Sequence, residues 1–124
     1  MKRLALALWL ALAGAPAAYA QDAQVTAGKG AFSSICALCH TAEKGRNAIG
    51  PSLFGVVGRK AATAPGFSYS KAMTASGITW DAASIDVFIT DPKARVPGTK
   101  MPYAGLKDAA KRQAIIAYLK TLHD

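Results

Sequence analysis

Residues 36–40 read Cys-Ala-Leu-Cys-His and include both cysteines of the chain and one of its two histidines. Two thiols at this spacing can add to the two vinyl groups of a haem, and the adjoining imidazole can reach the iron. The spacing therefore predicts one covalently attached haem, held by Cys36 and Cys39, with His40 as an iron ligand. Such chemistry indicates electron transfer rather than substrate turnover.

Three other interpretations of these residues each lack a required feature. A thioredoxin-like dithiol needs a βαβ context, and residues 30–60 show none. A structural zinc site needs four ligands, and only His40, directly beside Cys39, and His123, close to the chain end, could complete it. A simple disulfide between the two cysteines would leave the adjoining histidine unexplained.

The first twenty residues have the pattern of a secretory signal peptide. Lys2 and Arg3 supply positive charge, residues 4–12 are apolar, and Ala18-Tyr19-Ala20 suits a signal peptidase. The apolar stretch is shorter than the ~20 residues that a transmembrane helix needs. We expect cleavage after Ala20 and export to a periplasm, so that residues 21–124 form a single domain.

The mature domain is expected to be basic. Removal of Lys2 and Arg3 leaves 13 basic and 7 acidic residues, a net charge of +6. A basic surface attracts acidic partners, no nucleic-acid-binding motif is present, and export separates the protein from genomic DNA. We therefore expect acidic protein partners, no nucleic acid, no stable membrane insertion and a monomer.

Three segments have helical patterns. Apolar residues recur at near-helical spacing over residues 24–39, although Gly28 and Gly30 interrupt them. Asp81 is placed to cap a helix over residues 81–90, and Asp108 is placed to cap the last helix. The last helix has the clearest apolar face, formed by Ile115, Tyr118, Leu119 and Leu122.

Two glycine- and proline-rich segments separate these helices, residues 41–77 and 91–106, and both are predicted to be loops. Long irregular stretches are uncommon in a compact domain unless they are functional, and wrapping a cofactor would explain them. No alternating strand pattern of useful length occurs. The sequence predicts an all-α domain with long loops.

A second iron ligand is predicted in the loop at residues 97–103. Outside the leader the methionines are Met73 and Met101, and Met101 lies in this loop, whose prolines and glycine restrict the backbone. Methionine usually fills gaps in a core, but a thioether after a haem-attachment motif is a candidate for the sixth position. His123 lies too near the chain end to be preferred.

Further motifs follow the haem-attachment motif in a characteristic order. They are Gly28 with Phe32, Gly-Pro-Ser-Leu at 50–53, Gly-Arg-Lys at 58–60, Pro-Gly-Phe-Ser-Tyr at 65–69, Gly-Ile-Thr-Trp at 77–80, Pro-Gly-Thr-Lys-Met at 97–101 and Ala-Tyr-Leu-Lys at 117–120. With this ordered set the chain resembles the class I cytochromes c, the mitochondrial and bacterial shuttle proteins, from about Ala27 to Leu122.

The resemblance implies a fold and a ligand set. The first and last helices would cross, and the long loops would wrap one haem. His40 and Met101 would ligate its iron, and the carbonyl of Pro51 would accept a hydrogen bond from the His40 Nδ1–H. A filled sixth position would leave no site for oxygen. The general rule that a His/Met pair raises the reduction potential is itself drawn from cytochromes c.

The resemblance also assigns the wall of the pocket. The apolar lining would come from Leu53, Phe88, Ile89 and Ile115. The haem propionates would be met by Arg59, Tyr69, Trp80 and Thr99. Buried carboxylates need such charge and hydrogen-bond compensation. Without the haem motif these residues would be ordinary core and surface positions.

The family's ring of lysines around the haem edge is thinner in this chain. Positions of that ring are matched by Lys93, Lys100 and Lys107, with Lys29 nearby. Animal members of the family commonly have lysine at the positions of Ile35, Ala48 and Asp108. Further departures lie near the haem, at Met73, Phe88 and Tyr103. Acidic partners would dock on this edge.

The function implied is that of a soluble periplasmic one-electron carrier. Its donor would be a quinol-oxidising cytochrome bc complex or a dehydrogenase, and its acceptor a terminal oxidase, a photosynthetic reaction centre or a reductase. Respiratory and photosynthetic roles both stay open. The alternative is a haem enzyme or gas sensor with an open sixth position.

Overall fold

The computed structural model describes Gly14 and residues 16–124. Backbone pairing between extended segments is limited, in this part of the chain, to one isolated bridge between Lys60 and Thr79. The described helices are α1 (Ala17–Ile35), α2 (Lys71–Ala75), α3 (Ala82–Thr90), α4 (Pro92–Arg95) and α5 (Ala109–Leu119), with a 3-10 turn at Cys36–Leu38. The predicted all-α class is confirmed.

Helices α1 and α5 cross in close contact. Gly28 of α1 is buried, and a Cβ built on it would lie 1.8 Å from the carbonyl oxygen of Ala114 in α5. One turn further on, the ring of Phe32 meets Tyr118 edge-on, with centroids 5.2 Å apart. Only glycine permits this approach of two backbones, which explains why a poor helix former lies inside α1.

Aspartates begin the later helices. Asp81 Oδ1 accepts a hydrogen bond from the Ser84 N–H at 2.7 Å, and Asp108 Oδ1 accepts one from the Lys111 N–H at 3.1 Å. These carboxylates satisfy backbone donors that have no partner within the helix. The caps predicted for α3 and α5 are thus confirmed. Leu122 lies beyond α5 but still packs against the core.

Both predicted loops were too long, because each contains a short helix. Ser70 caps α2 by accepting from the Met73 N–H at 3.0 Å. Pro92 ends α3 as predicted but also begins α4, with Asp91 as its cap. Proline is tolerated at the first helical position, where its missing N–H would have no partner.

The helices surround a core that is open on one side to a large cavity. The first part of α1 lies outside this core, since none of its residues before Gly28 is buried. The predicted cleavage point after Ala20 falls in that exposed part, and the rest of the predicted leader, apart from Gly14 and Pro16, lies outside the described residues. None of the helices described is both long and apolar enough to cross a bilayer. The buried hydrophobic residues are Phe32, Val56, Ala64, Met73, Ile78, Trp80, Ile85, Phe88, Val96, Ala114, Ile115, Ile116 and Leu119.

Candidate functional site

The cavity measures about 610 Å³, within the range of ~300–1,000 Å³ for cofactor and small-molecule sites. Its wall is mostly apolar. The apolar residues expected to line a haem pocket, Leu53, Phe88, Ile89 and Ile115, all border it. So do all the other residues predicted for the site, namely Cys36, Cys39, His40, Pro51, Arg59, Tyr69, Trp80, Thr99 and Met101.

A tight turn places the two thiols and the imidazole together. The N–H groups of Cys39 and His40 both donate to the carbonyl of Cys36, at 3.1 and 2.9 Å. Both thiols are free and partly buried. Burial raises the pKa of Cys36 to about 11, so this thiol is protonated at neutral pH.

The imidazole of His40 is held in one orientation. Its Nδ1–H donates to the carbonyl of Pro51 at 2.7 Å, which leaves Nε2 with a lone pair for a metal. The ring lies against Gly50, where an added Cβ would come within 2.4 Å of the ring carbon Cε1. Burial lowers the pKa of His40 and the charge of Arg59 lowers it further, although the bond to Pro51 opposes both. The neutral form that binds metals is therefore favoured.

Met101 reaches the same cavity from the loop between α4 and α5. Its N–H donates to Thr99 Oγ1 at 3.2 Å, and the Thr99 N–H donates to the carbonyl of Val96 at 3.0 Å. Gly98 has a φ of +93°, a left-handed conformation that favours glycine. Met73 also borders the cavity, but it is buried in α2 and its sulfur lies 3.9 Å from the Ser76 hydroxyl.

Several polar donors face the cavity without an acceptor in the described part of the chain. The hydroxyl of Tyr69 accepts from the Ala64 N–H at 3.1 Å, and that of Thr99 accepts from Met101, so each keeps its own proton to donate. The indole N–H of Trp80 has no acceptor among the described residues. It is not fully buried, because every fully buried polar side-chain atom there has a partner. Arg59 donates to the carbonyls of Ser52 and Phe54 at 3.0 and 3.1 Å, and its burial lowers its pKa.

This donor set fits a covalent haem. Two thiols can form thioethers, Nε2 of the imidazole and a thioether sulfur can ligate iron, and the apolar wall suits the porphyrin. The free N–H and O–H donors can compensate carboxylates. A protein zinc site is less well supplied, because no three His, Cys, Asp or Glu side chains converge within the described residues.

Two features near the site could not be found from sequence patterns. The side chain of Asn47 donates to the carbonyl of Pro65 at 2.9 Å and accepts from the Ser52 N–H at 3.0 Å, so it joins two loops. At the mouth of the cavity Leu38 and Ile49 are 74% and 73% exposed. The sequence gives no signal that an asparagine in a glycine-rich loop links two loops, or that an isolated apolar residue lies at the mouth of a cavity.

The lysines expected at the docking edge differ in their surroundings. Lys29, Lys93 and Lys100 are exposed, and Lys100 borders the cavity. Lys107 is exposed as well, but its Nζ donates to the carbonyl of Thr90 at the end of α3, at 2.7 Å. Lys107 therefore has a structural contact that its position in the sequence did not predict.

Comparison with known proteins decides the family. The family model described as Cytochrome c matches residues 25–123, most of the chain. The chain belongs to the cytochrome c family. It is 54% identical over 95 residues to cytochrome c2 of Rhodopila globiformis, covering 77% of this chain and 90% of that protein. Cytochrome c2 iso-2 of Magnetospirillum fulvum is 50% identical over 88 residues, which cover 71% of this chain and 92% of the relative.

Among solved structures, cytochrome cH from Methylobacterium extorquens superimposes with a TM-score of 0.73 at 49% identity. The match covers 78% of this chain and 97% of that one. The predicted resemblance and the cytochrome c fold are both confirmed. The chain is therefore an electron carrier rather than an enzyme, and its cofactor is one covalently bound c-type haem with its iron.

Proposed function

We propose that this electron carrier is exported to a periplasm and attaches its haem through Cys36 and Cys39, with His40 and Met101 as the iron ligands. The supporting observation is that the Cys-Ala-Leu-Cys-His turn and the Met101 loop line one cavity. A leader pattern at residues 1–20 supports export. Two of the similar proteins named above are cytochromes c2 of bacteria.

The residues of the site hold the ligands in place during electron transfer. When bound, the haem iron supplies a reversible one-electron oxidation and reduction. Pro51 fixes the His40 ring through its carbonyl, and Thr99 holds the backbone of Met101. Ligands fixed in this way move little when the iron charge changes, which keeps the reorganisation energy small. A thioether ligand favours the ferrous state.

The other residues of the cavity wall would set the polarity of the surroundings of the haem. Phe88 and Ile115 are buried and exclude water from the pocket. Arg59, Tyr69, Trp80 and Thr99 would compensate the two propionates, with Arg59 supplying the positive charge. A carboxylate in an apolar cavity is costly without such partners.

The exposed lysines, of which Lys100 borders the cavity, support docking of acidic redox proteins. Lys29, Lys93 and Lys100 would steer encounter electrostatically, and Lys107 would add charge while tied to α3. The donor would be a quinol-oxidising cytochrome bc complex or a dehydrogenase, and the acceptor a terminal oxidase, a reaction centre or a reductase. Between encounters with its partners the carrier would be a monomer.

A matched pair of variants tests the ligand assignment. Met101→Leu and Met73→Leu each remove one sulfur at nearly constant volume, a change that cores tolerate well. Redox titration should show a lowered potential for Met101→Leu only, and carbon monoxide should bind the ferrous form of that variant but not of the native protein. Carbon monoxide binding to the native protein, or a lowered potential in Met73→Leu alone, would contradict the proposal.

A second experiment tests docking. Association rates with a candidate acceptor, measured over a range of ionic strength, should fall for Lys100→Gln and change little for Lys120→Gln, which does not border the cavity. Equal effects of the two variants would show that the cavity mouth is not the docking surface.

A further inference from the structure

The loop that presents Met101 is attached to the helices on both sides of that residue. Before it, Val96 is buried and accepts from the Thr99 N–H. After it, the Leu106 N–H donates to the carbonyl of Ile89 in α3 at 2.8 Å. Residues 102–104 between these attachments make no hydrogen bond within the described part of the chain. The position of the thioether therefore depends on how firmly the two ends are held.

The second attachment is unusually close. Gly105 has a φ of +111°, and a Cβ built on it would lie 2.1 Å from the carbonyl oxygen of Thr90. Lys107 Nζ donates to the same oxygen at 2.7 Å. The backbone after Met101 is thus pressed against the last turn of α3.

A shielded ion pair reinforces this attachment from α5. Arg112 Nη1 donates to the carbonyl of Leu106 at 2.9 Å, and Arg112 Nε donates to Asp86 Oδ1 of α3 at 2.7 Å. Gln113 Nε2 approaches the same carboxylate oxygen at 3.3 Å. One guanidinium thus connects α3, α5 and the loop, and Asp86 determines the direction in which it points.

This pair differs from the other ion pairs of the described residues. The side chains of Arg112 and Asp86 are 12% and 30% exposed, whereas those of Lys44–Asp124 and Arg46–Glu43 are at least 63% exposed. Exposed pairs contribute little to stability. Removal of one partner from a shielded pair is more costly, because the other charge is left without compensation.

We propose that Asp86 is a positioning residue for Met101. Its carboxylate orients Arg112, Arg112 holds the carbonyl of Leu106, and the loop keeps the thioether within reach of the iron. The inference rests on the proposed function, in which Met101 is the ligand. Without the carboxylate the guanidinium can turn toward water, and the loop retains only its backbone contacts and Lys107.

The expected consequence is more frequent opening of the loop. An external ligand such as imidazole can bind the ferric iron only when Met101 has moved away. Loss of the charged hydrogen bonds in Asp86→Ala should accelerate imidazole binding by about tenfold. Asp86→Asn keeps an acceptor oxygen and loses the charge, so it should give a smaller acceleration.

The test uses ferric holoprotein and a control of comparable global stability. Ile116→Val trims a buried core side chain of α5 that does not border the cavity. Stopped-flow imidazole binding and hydrogen exchange of the Leu106 amide should both speed up in Asp86→Ala and stay near native values in Ile116→Val. If the two variants change both rates equally, Asp86 acts only on global stability and the inference is wrong. Should Asp86→Ala not fold, the same comparison with Asp86→Asn decides.

The sulfur-to-iron charge-transfer absorption band distinguishes failure of the Met101 ligand assignment from failure of the positioning role of Asp86. If native ferric protein lacks this band and Met101→Leu changes nothing, the ligand assignment itself fails. If the band is present in the native protein and is lost at a lower temperature in Asp86→Ala than in Ile116→Val, the positioning role is supported. A band present in the native protein with equal thermal loss in both variants overturns the positioning role alone.

Discussion

The close contact between α1 and α5 predicts opposite changes in stability when Gly28 and Gly30, both in α1, are each replaced by alanine. At Gly28 an added methyl group would lie 1.8 Å from the Ala114 carbonyl oxygen and 2.9 Å from Tyr118 Cβ, whereas ordinary contact begins at 3.4 Å. At Gly30 the same methyl group would have no neighbour within 4 Å. Both residues lie inside α1, so helix propensity acts equally on both.

The magnitudes follow from these distances. Alanine in place of glycine stabilises a helix interior by about 1 kcal/mol, which is the whole expectation for Gly30→Ala. Overpacking costs about 1–3 kcal/mol, and more where backbone atoms cannot yield, as at Gly28. Gly28→Ala should therefore lower the free energy of unfolding by about 2 kcal/mol or more, because the helix crossing must open.

Guanidinium denaturation of the ferric holoprotein measures both variants. The midpoint should rise for Gly30→Ala and fall for Gly28→Ala, at an unchanged dependence on denaturant. Two shifts in the same direction, or a stabilised Gly28→Ala, would refute the close crossing of the two helices.

Three further variants test other contacts. Gly50→Ala should displace the His40 ring, since its methyl group would lie 2.4 Å from Cε1, and a changed reduction potential or a reduced yield of holoprotein would reveal it; native values of both would contradict the packing. Asp81→Ala should destabilise the protein at pH 7 but less at acid pH. Hydrogen bonds to Ser84 lower the pKa of Asp81 below its usual 3.8. The stabilisation by this carboxylate is therefore present above pH 3.8 and is lost as the pH falls through the folded pKa. Denaturation at pH 7 and pH 3 checks this, and a constant difference would be the contrary result. Asn47→Ala should cost about 1–3 kcal/mol of unfolding free energy, because the Ser52 N–H loses its acceptor; an unchanged denaturation midpoint would show that the link between the loops contributes nothing.

The parts of the fold that local spacing determines could be predicted from the sequence. The caps at Asp81 and Asp108 depend on residues three positions away, and the Cys-x-x-Cys-His turn depends on five consecutive residues. The extent of α2 and α4 could not be read in the same way, because glycine and proline around them signal loops. Proline at the start of α4 is compatible with a helix only in that position.

Contacts between residues far apart in the sequence could not be predicted either. The family resemblance predicted site residues that all border one cavity, but it pointed to none of Asn47, Asp86 and Arg112. Their partners are separated from them by up to 27 positions along the chain. Whether an aspartate on a helix is solvated or shielded depends on which helix packs beside it, and the spacing within its own helix does not contain that information.

The central claim is that Cys36 and Cys39 bind the haem covalently beside His40, and peptide mass spectrometry of the mature, denatured protein tests it most directly. The peptide that contains residues 36–40 should have the added mass of one haem, and neither cysteine should react with an alkylating agent. A colourless protein in which both thiols are alkylated at their unmodified mass would contradict the claim.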